Sequence, residues 1–537
     1  MIKSLLATSA CGLALSAFVA VGSELPSTHR LSATPMVCRV DTGTTIRAIP
    51  RGLLGTNLEW FNNANGISTP TGSVDPQWIS LAQELGAESI RFPGGVLADF
   101  YHWRDGIGPE SARPTRLHPT DDGSSANNFG TPEFLRFASS VGARPLITVN
   151  AGTGDAAEAA AWVAYCNQPD NAARRADGLS QPLPVKLWEI GNELYLSGNP
   201  SDKTIITVAP EVYANRFLEF AHAMRAVDPS IKLLAIGTAN SSTVPLPYPD
   251  WSEVVLAQAG AEMDYYAVHN AYFPMIFGQT GLSVRSVYQS LWAAPESINR
   301  SLTDLDSLIA RYEKSRRIEI AVTEWGSLFS YDKEWVDHTK TIGSAVYLAR
   351  VMQVFLGQPR VTLANFFKFT DRSFMGCIGY DGRPKVPYYV LQLFNLHFGT
   401  QLIAAGIDSP TFNVPALGVM AAESNVPELT VVASRSDDGN KLYVNIVNRS
   451  WSTIHQVKLD LGGYPANDNS TLWSISSDGV TDSNGPDIAP EIPASMYQEP
   501  ESSVNMQPIK IQQRSVNLQR PFLIPPFSIA TVEVSRR

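Results

Sequence analysis

Eight short runs rich in β-branched and apolar residues recur between residues 52 and 369, with helical periodicity in the stretches between them. The runs fall near Gly52–Glu59, Glu88–Phe92, Pro145–Asn150, Val185–Ile190, Lys232–Ile236, Tyr265–His269, Ile318–Thr323 and Thr362–Phe369. Helical patterns include Pro132–Val141, Pro210–Val227, Ser297–Lys314 and Thr341–Leu356. Parallel strands require such crossovers, and eight βα units suffice to close a sheet on itself. An open doubly wound sheet is the competing arrangement, but no glycine-rich phosphate fingerprint follows the first run. The expected fold is α/β, a (β/α)8 TIM barrel over residues 51–400.

From about Pro410 the grammar changes. Leu429–Ser434, Lys441–Asn448, Thr453–Leu459, Thr471–Ser474, Pro508–Gln513 and Ser528–Val534 read as short strands separated by turn signals such as Asp437-Asp438-Gly439. This predicts a C-terminal all-β sandwich over 401–537, with a strand within 36–50 added from the N-terminal side. Asp478–Asn505, rich in Ser, Asp, Pro and Glu, reads as a long exposed loop.

Residues 1–23 place Lys3 before an apolar run, Leu5 to Val21, that exits through small residues at Gly22-Ser23. That order reads as a secretory signal, with an uncleaved membrane anchor as the rival reading, and predicts a secreted or periplasmic protein. No later segment is long and apolar enough to span a bilayer, so no membrane association is expected beyond the signal. Cys38, Cys166 and Cys377 are too few and scattered for a disulfide scaffold and lack metal-site spacing. Lys and Arg number 41 against 51 acids, a net charge of −10, which argues against nucleic acid as a partner. No cofactor or metal is expected, and the sequence leaves homo-oligomerisation open.

In barrels of this kind chemistry sits where strands end and loops begin. Leu187-Trp188-Glu189-Ile190 runs into Gly191-Asn192-Glu193, and Ile320-Ala321-Val322-Thr323 into Glu324-Trp325-Gly326. By the strand count these are the fourth and seventh strands, so Glu193 and Glu324 are expected to face each other across the mouth. A pair of carboxylates so placed suits glycoside hydrolysis, one giving a proton to the departing oxygen and the other stabilising or trapping the sugar carbon. Glu59 and Arg91 end the first two strands. Glu59 is a candidate acceptor for sugar hydroxyls or a partner of Arg91, and Arg91 a fixed guanidinium able to hold a carboxylate ionised. Asn192, His269 and Tyr272 are candidate contacts to sugar or nucleophile. Trp103 and Trp325 are candidate apolar walls for a sugar face.

Arg91-Phe92-Pro93-Gly94-Gly95, then Trp103-Arg104-Asp105-Gly106-Ile107-Gly108-Pro109, resembles the segment after strand two in glycoside hydrolase family 51, the α-L-arabinofuranosidases of a large retaining barrel clan. Gly55-Thr56-Asn57-Leu58-Glu59, Gly191-Asn192-Glu193, Thr323-Glu324-Trp325, Leu363-Ala364-Asn365, Pro387-Tyr388-Tyr389 and Val447-Asn448-Arg449-Ser450 also resemble that family. The resemblance implies double displacement with Glu193 as acid/base and Glu324 as nucleophile, without a metal, on oligo- or polysaccharide. Four departures touch the sugar pocket. Val96 stands where a polar residue often follows Pro-Gly-Gly, His269-Asn270-Ala271-Tyr272 is one residue longer than His-x-Tyr, and Leu328 replaces an aromatic. Lys368 falls at a glutamine of the eighth strand, where it is a candidate ligand for a carboxylated sugar or a partner of a rim acid. An endo-glucanase or uronic-acid glycosidase of the clan is therefore a competing expectation. A non-catalytic carbohydrate-binding protein is an alternative of another class.

Overall fold

A computed structural model describes residues 29–537 apart from 70, 118–123, 198–205, 240–245, 270–273, 280, 315, 331, 333, 373–374 and 486–503. The expected signal at 1–23 and most of the expected loop at 478–505 lie outside the described residues. Eight parallel strands close into a barrel: β1 Gly55–Asn57, β2 Ser89–Phe92, β3 Arg144–Val149, β4 Leu187–Ile190, β5 Lys232–Gly237, β6 Tyr265–Val268, β7 Glu319–Trp325 and β8 Val361–Phe366. Each falls within or beside one of the eight apolar runs. The circle closes through β8, whose Asn365 and Phe366 register with Gly55 and Thr56 of β1. The strands are short and buried on both faces, which is why they read as apolar runs rather than as alternation.

A strand's period of two decides what fills the barrel. Leu146, Leu187, Leu234, Ala267, Ala321 and Leu363 form one buried apolar layer inside it. Two residues further along the same strands stand Thr148, Glu189, His269, Thr323 and Asn365, all buried. The barrel is thus plugged by hydrocarbon below and lined by polar groups at its C-terminal mouth.

Helices Thr131–Val141, Pro210–Val227 and Ile342–Gly357 lie where periodicity predicts them. The helix expected from Ser297 instead runs Val284–Tyr312 and contains Pro295. Proline in a helix interior loses one hydrogen bond and crowds the preceding turn. Burial of Pro295 with Val287, Leu291, Trp292, Ile298 and Leu302 keeps the helix continuous past it.

Outside the barrel, some strands pair in three two-stranded sheets, and ten others form one sheet with its own core around Cys38, Val40, Ile403, Val444, Val457 and Val532. The strand Met36–Ala48 enters it antiparallel to Gln401–Ile407 and parallel to Thr453–Asp460. The strand expected at Pro508–Gln513 lies instead at Gln512–Asn517, paired with Asn469–Ile475. Fully buried Arg449, after Lys441–Asn448, donates to Trp292 O and Glu296 Oε1 at 2.8 Å each and so ties the sheet to the barrel. Cys38, Cys166 and Cys377 are buried free thiols. Among the described residues no helix is long and apolar enough to cross a membrane.

Candidate active site

Glu193 is delivered to the barrel mouth by the turn that follows β4. Gly191 opens it at φ +81°, a backbone conformation that side chains disfavour, and Glu193 itself sits at φ +28°. Asp99, on the helical turn Val96–Phe100, clamps this stretch. Its two carboxylate oxygens accept the backbone N–H groups of Asn192 at 2.9 Å and Ala151 at 3.1 Å. The loops after β2, β3 and β4 are thereby held together at the residue preceding Glu193. Burial pushes the Asp99 carboxyl up to about 7 against these backbone bonds.

Glu324 reaches the mouth by a different device. Thr323 already occupies the inward phase of β7, so strict alternation would turn Glu324 outward. The β7–β8 pairing slips between Val322 and Trp325, and such an irregularity re-aims a side chain. Glu324 thus joins Thr323 at the mouth. Trp325 faces away and packs edge-on against Phe355 and Phe366, with ring centroids 5.3 and 5.4 Å distant.

Arg91, fully buried at the end of β2, organises the site. Its Nε donates to Glu189 Oε2 at 2.6 Å and its Nη2 to Asn192 Oδ1 at 2.7 Å. Its Nη1 donates to Glu324 Oε1 at 2.8 Å and Asn57 Oδ1 at 3.0 Å. Glu189 also accepts from Thr148 and Thr323 at 2.7 Å each. Burial alone would raise Glu189, but Arg91, His269 and Thr323 hold it down at about 2. Burial raises Glu324 above the usual carboxylate range, His269 and Arg91 draw it back, and the Glu193 carboxylate opposes them. Asn192 Nδ2 is buried and has no hydrogen-bond partner among the described residues.

His269 closes the circuit. Its Nδ1 lies 3.2 Å from Glu193 Oε1 and 3.8 Å from Glu324 Oε1, and its Nε2 lies 2.7 Å from Thr323 Oγ1. Burial works against the imidazolium, but the charge of Glu324 and the bonds to Glu189 and Glu193 outweigh it and raise His269 to about 9. Both ring nitrogens then carry protons and donate. Because the folded value lies above the ordinary 6.5, the stabilisation is complete below pH 6.5 and is lost as pH rises through about 9. The stability difference between wild type and His269→Asn should shrink by about 3 kcal/mol across that window, read from urea midpoints at each pH. A difference independent of pH would contradict a charged His269.

One oxygen of Glu193, one ring nitrogen of His269 and one oxygen of Glu324 lie within 4.8 Å of one another. These are also the described residues best placed to hold an ion together, yet the Arg91 guanidinium against Glu324 opposes a cation there. With one oxygen of each within 4.8 Å, the two carboxylates stand nearer the roughly 5–5.5 Å spacing at which one acts as nucleophile and the other as proton donor than the roughly 6.5–9.5 Å that admits a water. A small open recess adjoins Glu193 and Asn192, walled by Val96, Leu196 and Ile206.

Several expected site residues are placed otherwise. Glu59 pairs with Lys368, not with Arg91, and Lys368 also meets Asp371. Trp103 is a core residue rather than a sugar wall: it is 2% exposed, stacks on Trp162 and donates to Glu158 O. Trp325 is likewise core, with no exposed surface. Tyr272 lies outside the described residues. The reading of the sequence passed over Glu189 and Asp99. Glu189 had a signal, an acid inside an apolar strand two positions beyond an inward leucine, whereas Asp99 had none.

Residues 81–275 match the family model of the α-L-arabinofuranosidase 1 domain. The chain is 31% identical over 268 residues to α-L-arabinofuranosidase C of Emericella nidulans, covering 46% of this chain and 49% of that protein. It is 31% identical over 255 residues to an exo-α-(1→6)-L-arabinofuranosidase of Bifidobacterium longum, covering 46% and 47%. Over these segments the chain is similar to α-L-arabinofuranosidases. It spans about half the length of the curated relatives it matches. In fold it is similar to the α-L-arabinofuranosidase of Thermotoga maritima solved with arabinose, with a TM-score of 0.75 and 24% identity over 93% of this chain and 100% of that one. A family 44 xyloglucanase of Paenibacillus polymyxa shares the fold more loosely, with a TM-score of 0.60 and 14% identity over 94% and 100%. The segment matched by the family model carries Arg91, Asp99, Glu189, Asn192, Glu193 and His269, while Glu324 and Lys368 lie beyond it.

Proposed function

We propose that the chain is a retaining α-L-arabinofuranosidase that releases terminal arabinofuranosyl groups from plant polysaccharide. The observation that carries the reading is the juxtaposition of Glu193 and Glu324 within 4.8 Å, with Arg91 bonded to Glu324 and not to Glu193. In the first step Glu324 attacks the anomeric carbon while Glu193 gives its proton to the departing oxygen. In the second, Glu193 takes a proton from water as that water displaces Glu324 from the sugar. Arg91 keeps the nucleophile charged and oriented, and the unpartnered Nδ2 of Asn192 is available to a hydroxyl beside the reacting carbon. The names of the similar proteins support arabinofuranose as the sugar. Export rests on the pattern of residues 1–23, and N-terminal sequencing of protein recovered from outside the cell tests it.

The reading is tested on aryl glycosides and on branched arabinan. It expects turnover of α-L-arabinofuranosides well above that of xylosides, glucosides and uronides, and faster turnover of another sugar would overturn it. Glu193→Ala should lower kcat/KM by about two to four orders of magnitude on substrates with poor leaving groups and far less on 4-nitrophenyl glycosides, which depart without a proton. Equal losses on both would contradict its role as acid.

A further inference from the structure

The part of the mouth where β8 meets β1, next to β7, holds a charge cluster that the two-glutamate chemistry leaves unused. Lys368, two residues beyond β8, is buried, and its ammonium group bonds Glu59 Oε2 and lies 3.3 Å from Asp371 Oδ1. The rings of Phe367 and Phe61 flank it, with centroids at 5.4 and 5.6 Å. Glu59 Oε2 also accepts from Asn65 Nδ2 at 3.2 Å. Asn65 is presented by a left-handed turn in which Asn62, Asn63, Ala64 and Asn65 have φ between +50° and +56°. Chains hold such a turn at a cost, and asparagine tolerates it better than most residues.

The cluster borders the reacting pair. A Cβ on Gly95 would stand 2.6 Å from Glu59 Oε1, and one on Gly94 would stand 3.6 Å from Arg91 Nη1. Adjacent glycines of one loop thus pack against Glu59 and Arg91. The next residue, Val96, lines the recess beside Asn192 and Glu193. Glu59 Oε1 is therefore the oxygen left for a sugar held against Glu324. Glu59 and Asp371 both draw on the Lys368 ammonium, which leaves it little charge to spare for a third acid. Burial raises the Glu59 carboxyl and Lys368 opposes the rise, so a Glu59 without Lys368 tends toward the protonated form, a poorer acceptor.

We infer that Lys368 is a positioning residue that keeps Glu59 as a fixed acceptor for sugar hydroxyls, and that this paired cluster confines the site to uncharged sugars and refuses those bearing a carboxylate. The inference rests on the retaining-glycosidase reading above but does not depend on which neutral sugar is the substrate. It is tested by steady-state kinetics on 4-nitrophenyl α-L-arabinofuranoside, β-D-xyloside and β-D-glucuronide with wild type, K368Q and K368R. Wild type should turn over the glucuronide at least about 100-fold less efficiently than the better neutral substrate, since charge left unpaired in a buried site is costly. K368Q should raise KM for that neutral substrate about tenfold with kcat changed far less, and K368R, which keeps the charge, should recover part of the loss. A glucuronide accepted as well as the neutral sugars would overturn the inference. So would a K368Q enzyme with lowered thermal stability and unchanged KM. Should K368Q fail to accumulate, the wild-type ratio and K368R decide. Preference for xyloside over arabinofuranoside would overturn the sugar proposed above and leave this inference standing.

Discussion

Glu324→Ala should lose about four orders of magnitude or more in kcat on every substrate, good leaving groups included, because no covalent intermediate can form without the carboxylate. The barrel should survive the change. Glu324 is held by one bond from Arg91, whose remaining contacts to Glu189, Asn57 and Asn192 persist when that carboxylate is gone. The variant also removes one of three acids, buried Glu189 and Glu324 and half-buried Glu193, that share a single guanidinium and a single imidazole, which eases mutual repulsion. Its far-ultraviolet circular dichroism and urea midpoint should therefore match or exceed those of wild type. Residual turnover within about tenfold of wild type would show that Glu324 is not the nucleophile.

Arg91→Met should have the largest effect on stability, about 3–5 kcal/mol, because it strips the bonded guanidinium from buried Glu189 and leaves the His269 ring, 3.9 Å away, as its remaining cation. Arg91 and Glu189 have no exposed side-chain surface, so solvent cannot take over the guanidinium's part. Activity should fall with stability, since Asn192 and Glu324 lose the group that fixes both. The cause can be isolated with a second substitution. Arg91→Met combined with Glu189→Leu replaces the broken pair by hydrocarbon and should recover more than half of the lost urea resistance without restoring turnover. A single variant within about 1 kcal/mol of wild type would mean that the pair is compensated elsewhere.

The barrel was largely legible because its strands are covered on both faces, which forces apolar runs on the sequence and leaves little room for other readings. Glu193 and Glu324 were legible because each breaks such a run where a strand meets its loop. What the sequence concealed depends on the third dimension. The inward phase of Glu189 is set by the barrel's closure, and the outward phase of Trp325 by a slip in β7. Trp103 carries the same aromatic surface as a sugar platform, and only Trp162 and Tyr165 packed against it mark it as core. The Lys368–Glu59 bond joins residues at opposite ends of the barrel sequence, brought together where β8 meets β1. Pro295 displaced the expected start of a helix because local propensity weighs against proline and tertiary burial overrides it.

The side chains of Glu193 and Glu324 stand too close for a water to serve as the first attacker, so two successive inversions must carry the reaction. Proton NMR of the first sugar released from 4-nitrophenyl α-L-arabinofuranoside, recorded before the product mutarotates, reads this directly. The account predicts that the α-anomer appears first and the β-anomer only later. A β-anomer formed first would contradict it.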